Sequence, residues 1–246
     1  MSTVIVVIGR NEGERLRVCL NSAFRSAGDV IYVDSGSSDG SCELARSLSA
    51  HVVELDPSRP FSAARARNAG FDFIRRLRPK LEFIQFVDGD CELDSSWVEL
   101  AMSTMGDPDL AVVCGRRRER YPERSVYNLL CDMEWDTPIG DADACGGDSL
   151  MRVEAFASVG GFDDAVVAGE EPDLCLRLRK QGWRIKRVDA EMTLHDADML
   201  RASQWWKRML RSGYAYAEGV ARHGRREHPR YARSLISALV WGGAVP

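Results

Sequence analysis

Asp88-Gly89-Asp90 closes the apolar run Phe83-Ile84-Gln85-Phe86-Val87, which sets two carboxylates at the end of a strand with a small residue between them. That arrangement suits a hard divalent cation. Magnesium or manganese takes oxygen ligands from one or two carboxylates together with phosphate oxygens, and can therefore bridge a diphosphate to the protein. By itself the triplet also fits an ordinary acidic turn. A second acidic group, Gly169-Glu170-Glu171-Pro172-Asp173, stands where a helix begins. Acids are favoured there by the helix dipole alone, yet a carboxylate so placed can also take the proton from an attacking hydroxyl. Glu170, Glu171 and Asp173 are all candidates for that task. His195 on its own reads as an ordinary surface or core histidine.

The elements that must position these groups alternate along the chain. Thr3–Ile8 is a continuous β-branched run, and Arg15–Phe24 then puts Leu16, Leu20, Ala23 and Phe24 on one helical face. The alternation continues with strands at Val30–Val33 and Val52–Leu55 and helices at Cys42–Leu48 and Ala63–Arg76. Strands at Phe83–Val87 and Leu110–Cys114 flank a helix from about Ser95 to Met105. Such alternation requires crossover connections, and so predicts an α/β fold with a mostly parallel, doubly wound sheet flanked by helices. Ligands of such sheets sit beyond the carboxyl ends of the strands. The residues found there are polar: Gly9-Arg10-Asn11-Glu12, Asp34-Ser35-Gly36-Ser37-Ser38-Asp39-Gly40 and Asp88-Gly89-Asp90. Further on, Arg116–Tyr127 reads as a charged loop and Asn128–Trp135 as a short helix. Pro172 sits where a helix would start, Gly182 ends that helix, and Trp183–Val188 forms the last strand, with His195 in the loop after it.

A chain of 246 residues suits one α/β domain with a short appendage. With 45% hydrophobic and 28% charged residues and no low-complexity tract, disorder is excluded as the main state. The net charge of −4 is unevenly spread: residues 201–246 carry nine Lys or Arg against two acids, +7, leaving −11 for the first 200. A basic tail on an acidic body suits an anionic surface, and equally a solvated helix face. Nucleic acid is a poor fit, because no docking module surrounds those residues. The seven cysteines are scattered, with no C-x-x-C pair, which argues for reduced thiols and against structural zinc. The N-terminus enters a strand at once without a signal-peptide pattern, so the expected location is the cytoplasm.

Taken together, the loops resemble the inverting glycosyltransferases of family 2, which share the GT-A nucleotide-diphospho-sugar transferase fold. The resemblance rests on Val4–Glu12, Val33–Gly40, Ala66-Arg67-Asn68-Ala69-Gly70, Phe86–Asp90, Gly146-Gly147-Asp148, Arg152, Gly160-Gly161-Phe162-Asp163 and Gly169–Leu178, in family order across residues 3–198. It implies that Gly9, Arg10, Asn11, Glu12 and Asp34 hold the base and ribose of a nucleotide, and that Arg67 and Asn68 lie beside it. It further implies that Asp88 faces the ribose and metal region, that Asp90 is the main ligand of Mn²⁺ or Mg²⁺, and that His195 completes the metal site. Gly147 and Asp148 would line the donor-sugar and acceptor pocket. Glu171 becomes the expected base, although many relatives carry Asp at that position; Asp173 is the fallback. The implied reaction moves a sugar from a nucleotide diphosphate, UDP first, to an acceptor hydroxyl on a carbohydrate or lipid-linked glycan. Polysaccharide, glycolipid or cell-envelope synthesis would be the setting. The expected layout is a catalytic domain at 1–198, with a donor half to about 115 and an acceptor half from about 116, followed by a helical tail at 199–246.

A nucleotidyltransferase would share the fold and the acidic site, but its Gly-rich phosphate loop is missing at Gly9-Arg10-Asn11-Glu12-Gly13. A sugar-nucleotide binding module without catalysis would not need Asp90, Glu171 and His195. In the tail, Trp205, Trp206, Tyr214 and Tyr216 interleave with Lys207, Arg208 and Arg211. The uncharged run Leu235–Pro246 is twelve residues long, short of the roughly 20 a membrane span needs. The tail is therefore expected either to lie in the interface on the inner face of the cytoplasmic membrane or to pack over the acceptor site.

Overall fold

The structure is a computed structural model that describes residues 3–227 and 229–244, without the side chains of 241–244. Its first half is a regular alternation: β1 (Thr3–Gly9), α1 (Glu14–Ser26), β2 (Val30–Asp34), α2 (Ser41–Ser47), β3 (His51–Glu54), α3 (Ala63–Leu77) and β4 (Phe83–Asp88). The second half adds β5 (Cys91–Leu93), α4 (Trp97–Thr104), β6 (Leu110–Glu119), α5 (Val126–Glu134), β7 (Gly140–Asp141) and β8 (Ser149–Arg152). It continues with α6 (Val153–Ser158), α7 (Glu170–Lys180), β9 (Arg184–His195), α8 (Ala202–His223) and α9 (Pro229–Ala244). All nine strands join one sheet in the order β3-β2-β1-β4-β8-β6-β9-β5, with β7 paired to β9. The block β3-β2-β1-β4 is parallel, as is β6 with β9, whereas β8 runs antiparallel between β4 and β6.

The period-two rule for strands explains why both faces are covered. Ile5 and Val7 of β1 point to one face and pack with Leu16, Leu20 and Trp97 of the helices there. Val4, Val6 and Ile8 point to the other and pack with Ile74, Phe156 and Leu174. Every side chain from Val4 to Ile8 is buried, the signature of a parallel strand enclosed between two helical layers.

The structure corrects three expectations drawn from pattern. Arg116–Glu119 is not loop but the continuation of β6, and β9 runs seven residues past Val188, so that His195 ends a strand instead of lying in a loop. The β6 extension is charged throughout and carries no apolar alternation, whereas β9 continues with Ala190, Met192 and Leu194 at every second position; the two hold because each supplies the other's backbone partners, with register shifts on either side of Arg116. Pro172 is the third residue of α7, not the first. It is tolerated because the amides of a first helical turn have no intrahelical acceptor.

One side of α8 packs on the body of the protein. Tyr127 of α5 stacks on Trp205, Arg208 bridges to Glu134 at 2.7 Å, Arg222 to Asp163 at 2.8 Å, and Gly169 packs closely on Ala215. No helix among the described residues is long and apolar enough to cross a membrane.

Candidate active site

The three loops at the carboxyl ends of β1, β2 and β4 are stitched to one another. Asn11, held at a positive φ of 57°, donates its amide to Ser37 Oγ (2.9 Å) and accepts from the Ser38 amide (2.8 Å), while Gly13 donates to Asp39 (3.0 Å). Asp34 accepts from Tyr32 Oη at 2.8 Å and from the amides of Gly36 and Ser37 at 2.9 and 2.8 Å. Burial alone would raise its carboxyl, but the bonds from Ser37, Tyr32 and Gly36 outweigh that and hold it below the usual range. Asp34 thus shapes the nucleotide-side loop from inside it. Arg10 is exposed and lies over the Phe61 ring.

A network of buried charge lies behind the rim. Asp88 Oδ1 takes Arg67 Nη2 and Oδ2 takes Arg117 Nη2, both at 2.8 Å. Arg67 also reaches Glu170 Oε1 at 2.9 Å, and Arg117 Nε faces Asp148 Oδ2 at 3.2 Å. Burial opposes ionisation of Asp88, but the two guanidiniums prevail and hold its carboxyl well below the usual range. Asp148 is fully buried; it accepts from the Asp88 amide at 2.9 Å and from Thr193 Oγ1 at 2.8 Å. Gly147 fits because it has no side chain: a Cβ there would come within 2.7 Å of Arg67 Nη2 and 2.8 Å of Asp88 Oδ2.

Asp90 turns the other way, toward His195, whose Nε2 lies 3.2 Å from Asp90 Oδ2. Sheet register brings them together, since His195 pairs with Cys91 on β5 and with Glu119 on β6. Glu119 Oε2 stands 3.6 Å from His195 Nδ1, and Trp135 lies edge-on to the imidazole at 4.8 Å. Among the described residues the group whose ligand atoms cluster closely enough to hold a metal, within 4.8 Å of one another, is Asp90, Cys91 and His195. The Cys91 thiol is pushed far up by burial and accepts from Arg117 at 3.0 Å. A hard cation prefers oxygen and imidazole, which leaves Asp90 and His195 as the fitting pair. Asp88, with one arginine on each of its oxygens, also anchors the buried charge network. Glu12 stands on the same rim; burial and the negative charge of Asp90 raise its carboxyl, as they would where a cation is wanted.

At the start of α7 the three candidate bases part company. Glu170 is tied to Arg67. Asp173 binds Arg177 at 2.8 Å and His223 of α8 at 2.6 Å, and so fastens the tail to the body. Glu171 is half-buried and, among the described residues, takes no hydrogen bond. Burial and the charge of Glu170 push its carboxyl up to about 7. Glu170, its neighbour in the chain, is tied through Arg67 to Asp88, two residues before Asp90, so the start of α7 is joined to the loop that carries Asp90. Asn68 clasps the 160–164 loop through Phe162 and Asp164.

Arg117, Glu119, Trp135 and Thr193 escaped the sequence reading. Arg117 and Glu119 lie in the stretch taken for a loop; a signal was available in the strict placement of both two residues apart after an apolar strand, on one face of its continuation.

A family model described as glycosyl transferase family 2 matches residues 4–160, well over half of the chain. This chain belongs to glycosyl transferase family 2. A second model, described as the N-terminal domain of galactosyltransferase, matches residues 131–202 of the family 2 chain. Among curated relatives it is 24% identical to glycosyltransferase AglE of Haloferax volcanii over 78% of this chain and 66% of that protein. It is 28% identical to the succinoglycan biosynthesis protein ExoA of Rhizobium meliloti, over 76% and 61% respectively. The chain thus spans about two thirds or less of the curated relatives it matches. Among solved structures, the mannosyltransferase PcManGT of Pyrobaculum calidifontis, in complex with GDP-Man and Mn²⁺, superposes with a TM-score of 0.67 at 16% identity, covering 96% of this chain and 74% of that one. TarS of S. aureus in complex with UDP-GlcNAc gives 0.60 at 15% identity, covering 80% and 58%. These neighbours establish the GT-A fold.

Proposed function

We propose that this chain is an inverting glycosyltransferase that moves a sugar from a nucleotide diphosphate donor, UDP-linked in the first instance, to a hydroxyl of a carbohydrate or lipid-linked acceptor in glycan synthesis. The observation that carries the reading is the Arg67 bridge from Glu170 to Asp88, which ties the helix start bearing Glu171, a carboxyl raised to about 7, to the loop whose Asp90 faces His195. Glu171 takes the acceptor proton as the oxygen attacks the anomeric carbon, and its ionisation near pH 7 matches the proton affinity to the task. Arg67 and Glu170 hold the start of α7 against Asp88, which fixes the base relative to the donor side. Asp90 and His195 would hold Mn²⁺ or Mg²⁺, which when bound neutralises charge on the leaving diphosphate. The loops carrying Arg10, Asn11, Glu12 and Asp34 form the nucleotide side. The displacement is a single step, and no covalent sugar intermediate is expected. The GDP-Man and UDP-GlcNAc held by the two neighbours support a nucleotide-sugar donor of either base. The place of action is the cytoplasm or the inner face of its membrane.

The test is incubation with labelled nucleotide sugars, UDP- and GDP-linked, with and without Mn²⁺. Release of nucleoside diphosphate that depends on Mn²⁺ supports the proposal. Release of pyrophosphate, or tight binding with no turnover across the panel, overturns it.

A further inference from the structure

Helix α5 is turned inside out. Its buried side carries Asn128 and Cys131, while Val126, Leu129, Leu130 and Met133, at the i, i+3, i+4, i+7 spacing of a core-facing stripe, point to solvent, with Val126 59% and Met133 63% exposed. The inversion has a local cause. Asn128 is needed inside, where its amide meets Glu119 Oε1 at 3.1 Å and the Tyr121 carbonyl at 3.0 Å and accepts from the Met199 amide at 3.0 Å. That cause explains the polar inside but not the apolar outside, because solvent-facing positions favour polar residues at no cost to this network.

Helix α8, stacked against α5, repeats the feature. Trp206, Leu210 and Tyr214, four residues apart, line its outer face and are 65%, 58% and 51% exposed. Its opposite side holds the body through Trp205 and Arg208. Lys207 and Arg211 flank the stripe, and among the described residues neither pairs with an acid. An exposed indole and phenol, a leucine between them and two cations alongside that pair with no acid among the described residues have the composition of an interface anchor.

We propose that the outer face of α8, with the apolar stripe of α5 beside it, docks on the surface of an anionic lipid bilayer. Charge chooses this occupant. Residues 201–246 carry +7 on a chain of net charge −4, and Lys207 and Arg211 of that tail flank the exposed apolar stripe, so charge and apolar surface meet on this face. A second copy would set the same cations against each other. The mode is peripheral, as no described helix can span the membrane. The location also suits the chemistry: Trp135 directly follows α5 and lies against His195, so the docked face starts within about two helical turns, ~11 Å, of the catalytic rim. This deepens the membrane-side part of the proposed function. Vesicle binding needs no donor, so its failure is distinguishable from failure of the transfer reading, which nucleotide release reports separately.

The full chain is sedimented with vesicles of phosphatidylcholine alone and with 30% phosphatidylglycerol, at 0.1 and 0.5 M salt, and its oligomeric state is measured by light scattering. Binding to the anionic vesicles alone, weakened by salt, is expected. Each cation near the surface is worth about five-fold in partitioning, so Lys207→Glu with Arg211→Glu lowers binding by at least about 25-fold. Trp206→Ser with Leu210→Ser abolishes quenching of tryptophan emission by brominated lipid. All four positions are exposed and outside the catalytic machinery, and circular dichroism with nucleotide release checks that both variants are folded. Absence of binding to anionic vesicles, binding that neither variant weakens, or a dimer that the apolar variant returns to monomer would each overturn the proposal.

Discussion

Replacing Glu171 by glutamine keeps the side chain's shape and removes its capacity to take a proton. Because burial and the neighbouring Glu170 charge lift the carboxyl from the ordinary 4.5 to about 7, two effects of opposite sign follow. The first is catalytic: without the base, kcat falls by about 10²–10⁴, which is about 3–5 kcal/mol of barrier. Donor KM stays unchanged, since Glu171 takes no hydrogen bond. The second is on stability. The folded chain binds this proton more tightly than the unfolded one, so the contribution is complete below pH 4.5 and is lost as pH rises through about 7. The rise is worth about 3 kcal/mol as an upper bound, because water reaches the half-buried carboxyl and screens it. Glutamine escapes that loss. The variant therefore matches the wild type near pH 4.5 and melts up to about 10 °C higher at pH 8. Initial rates with labelled donor across pH 5.5–9 and parallel thermal melts check both. The wild-type rate climbs tenfold per pH unit and levels off near 7, while the variant's residual rate is flat. A variant within tenfold of wild type, or one with the wild-type pH profile, would refute the assignment of the base, and a lower melting point at pH 8 would refute the account of its environment.

Asp88→Ala leaves Arg67 and Arg117 buried without their shared carboxylate and should cost about 3–5 kcal/mol, read as a fall in denaturation midpoint by urea titration. Asp90→Asn removes the proposed oxygen ligand and should lower Mn²⁺ affinity by at least about tenfold, measured by electron paramagnetic resonance of free Mn²⁺, with the midpoint in urea little changed. Glu119→Gln, which acts through His195 Nδ1, weakens Mn²⁺ by about 10–100-fold without touching the cation; an unaltered affinity would show that strand pairing alone orients the imidazole. Gly147→Ala drives a methyl group into the Arg67–Asp88 pair and should cost about 1–3 kcal/mol, visible in thermal melts.

The comparison of pattern with structure is instructive at particular residues. The run Val4–Ile8, the loops after β1, β2 and β4 and the acids opening α7 were legible because apolar periodicity and turn chemistry are local properties of the chain. Asp90 and Glu171 were legible as candidates for the same reason. The extension of β6 through Arg116–Glu119 was not, since its hydrogen bonds go to β9 about seventy residues away and its side chains are charged.

What the amino-acid order determines here is which strands exist, where their polar loops fall, and that acids gather at those loops. Which of two acids does which task was decided only by the tertiary structure. Asp88 and Asp90 are two residues apart, yet one faces two guanidiniums and the other an imidazole. Glu170 and Glu171 are adjacent, yet one meets Arg67 and the other takes no hydrogen bond among the described residues. The physical reason is that a carboxylate's role follows from the charges and burial around it, and those neighbours arrive from α3, β6 and β9, elements distant in sequence that only the closed sheet brings within a few ångströms.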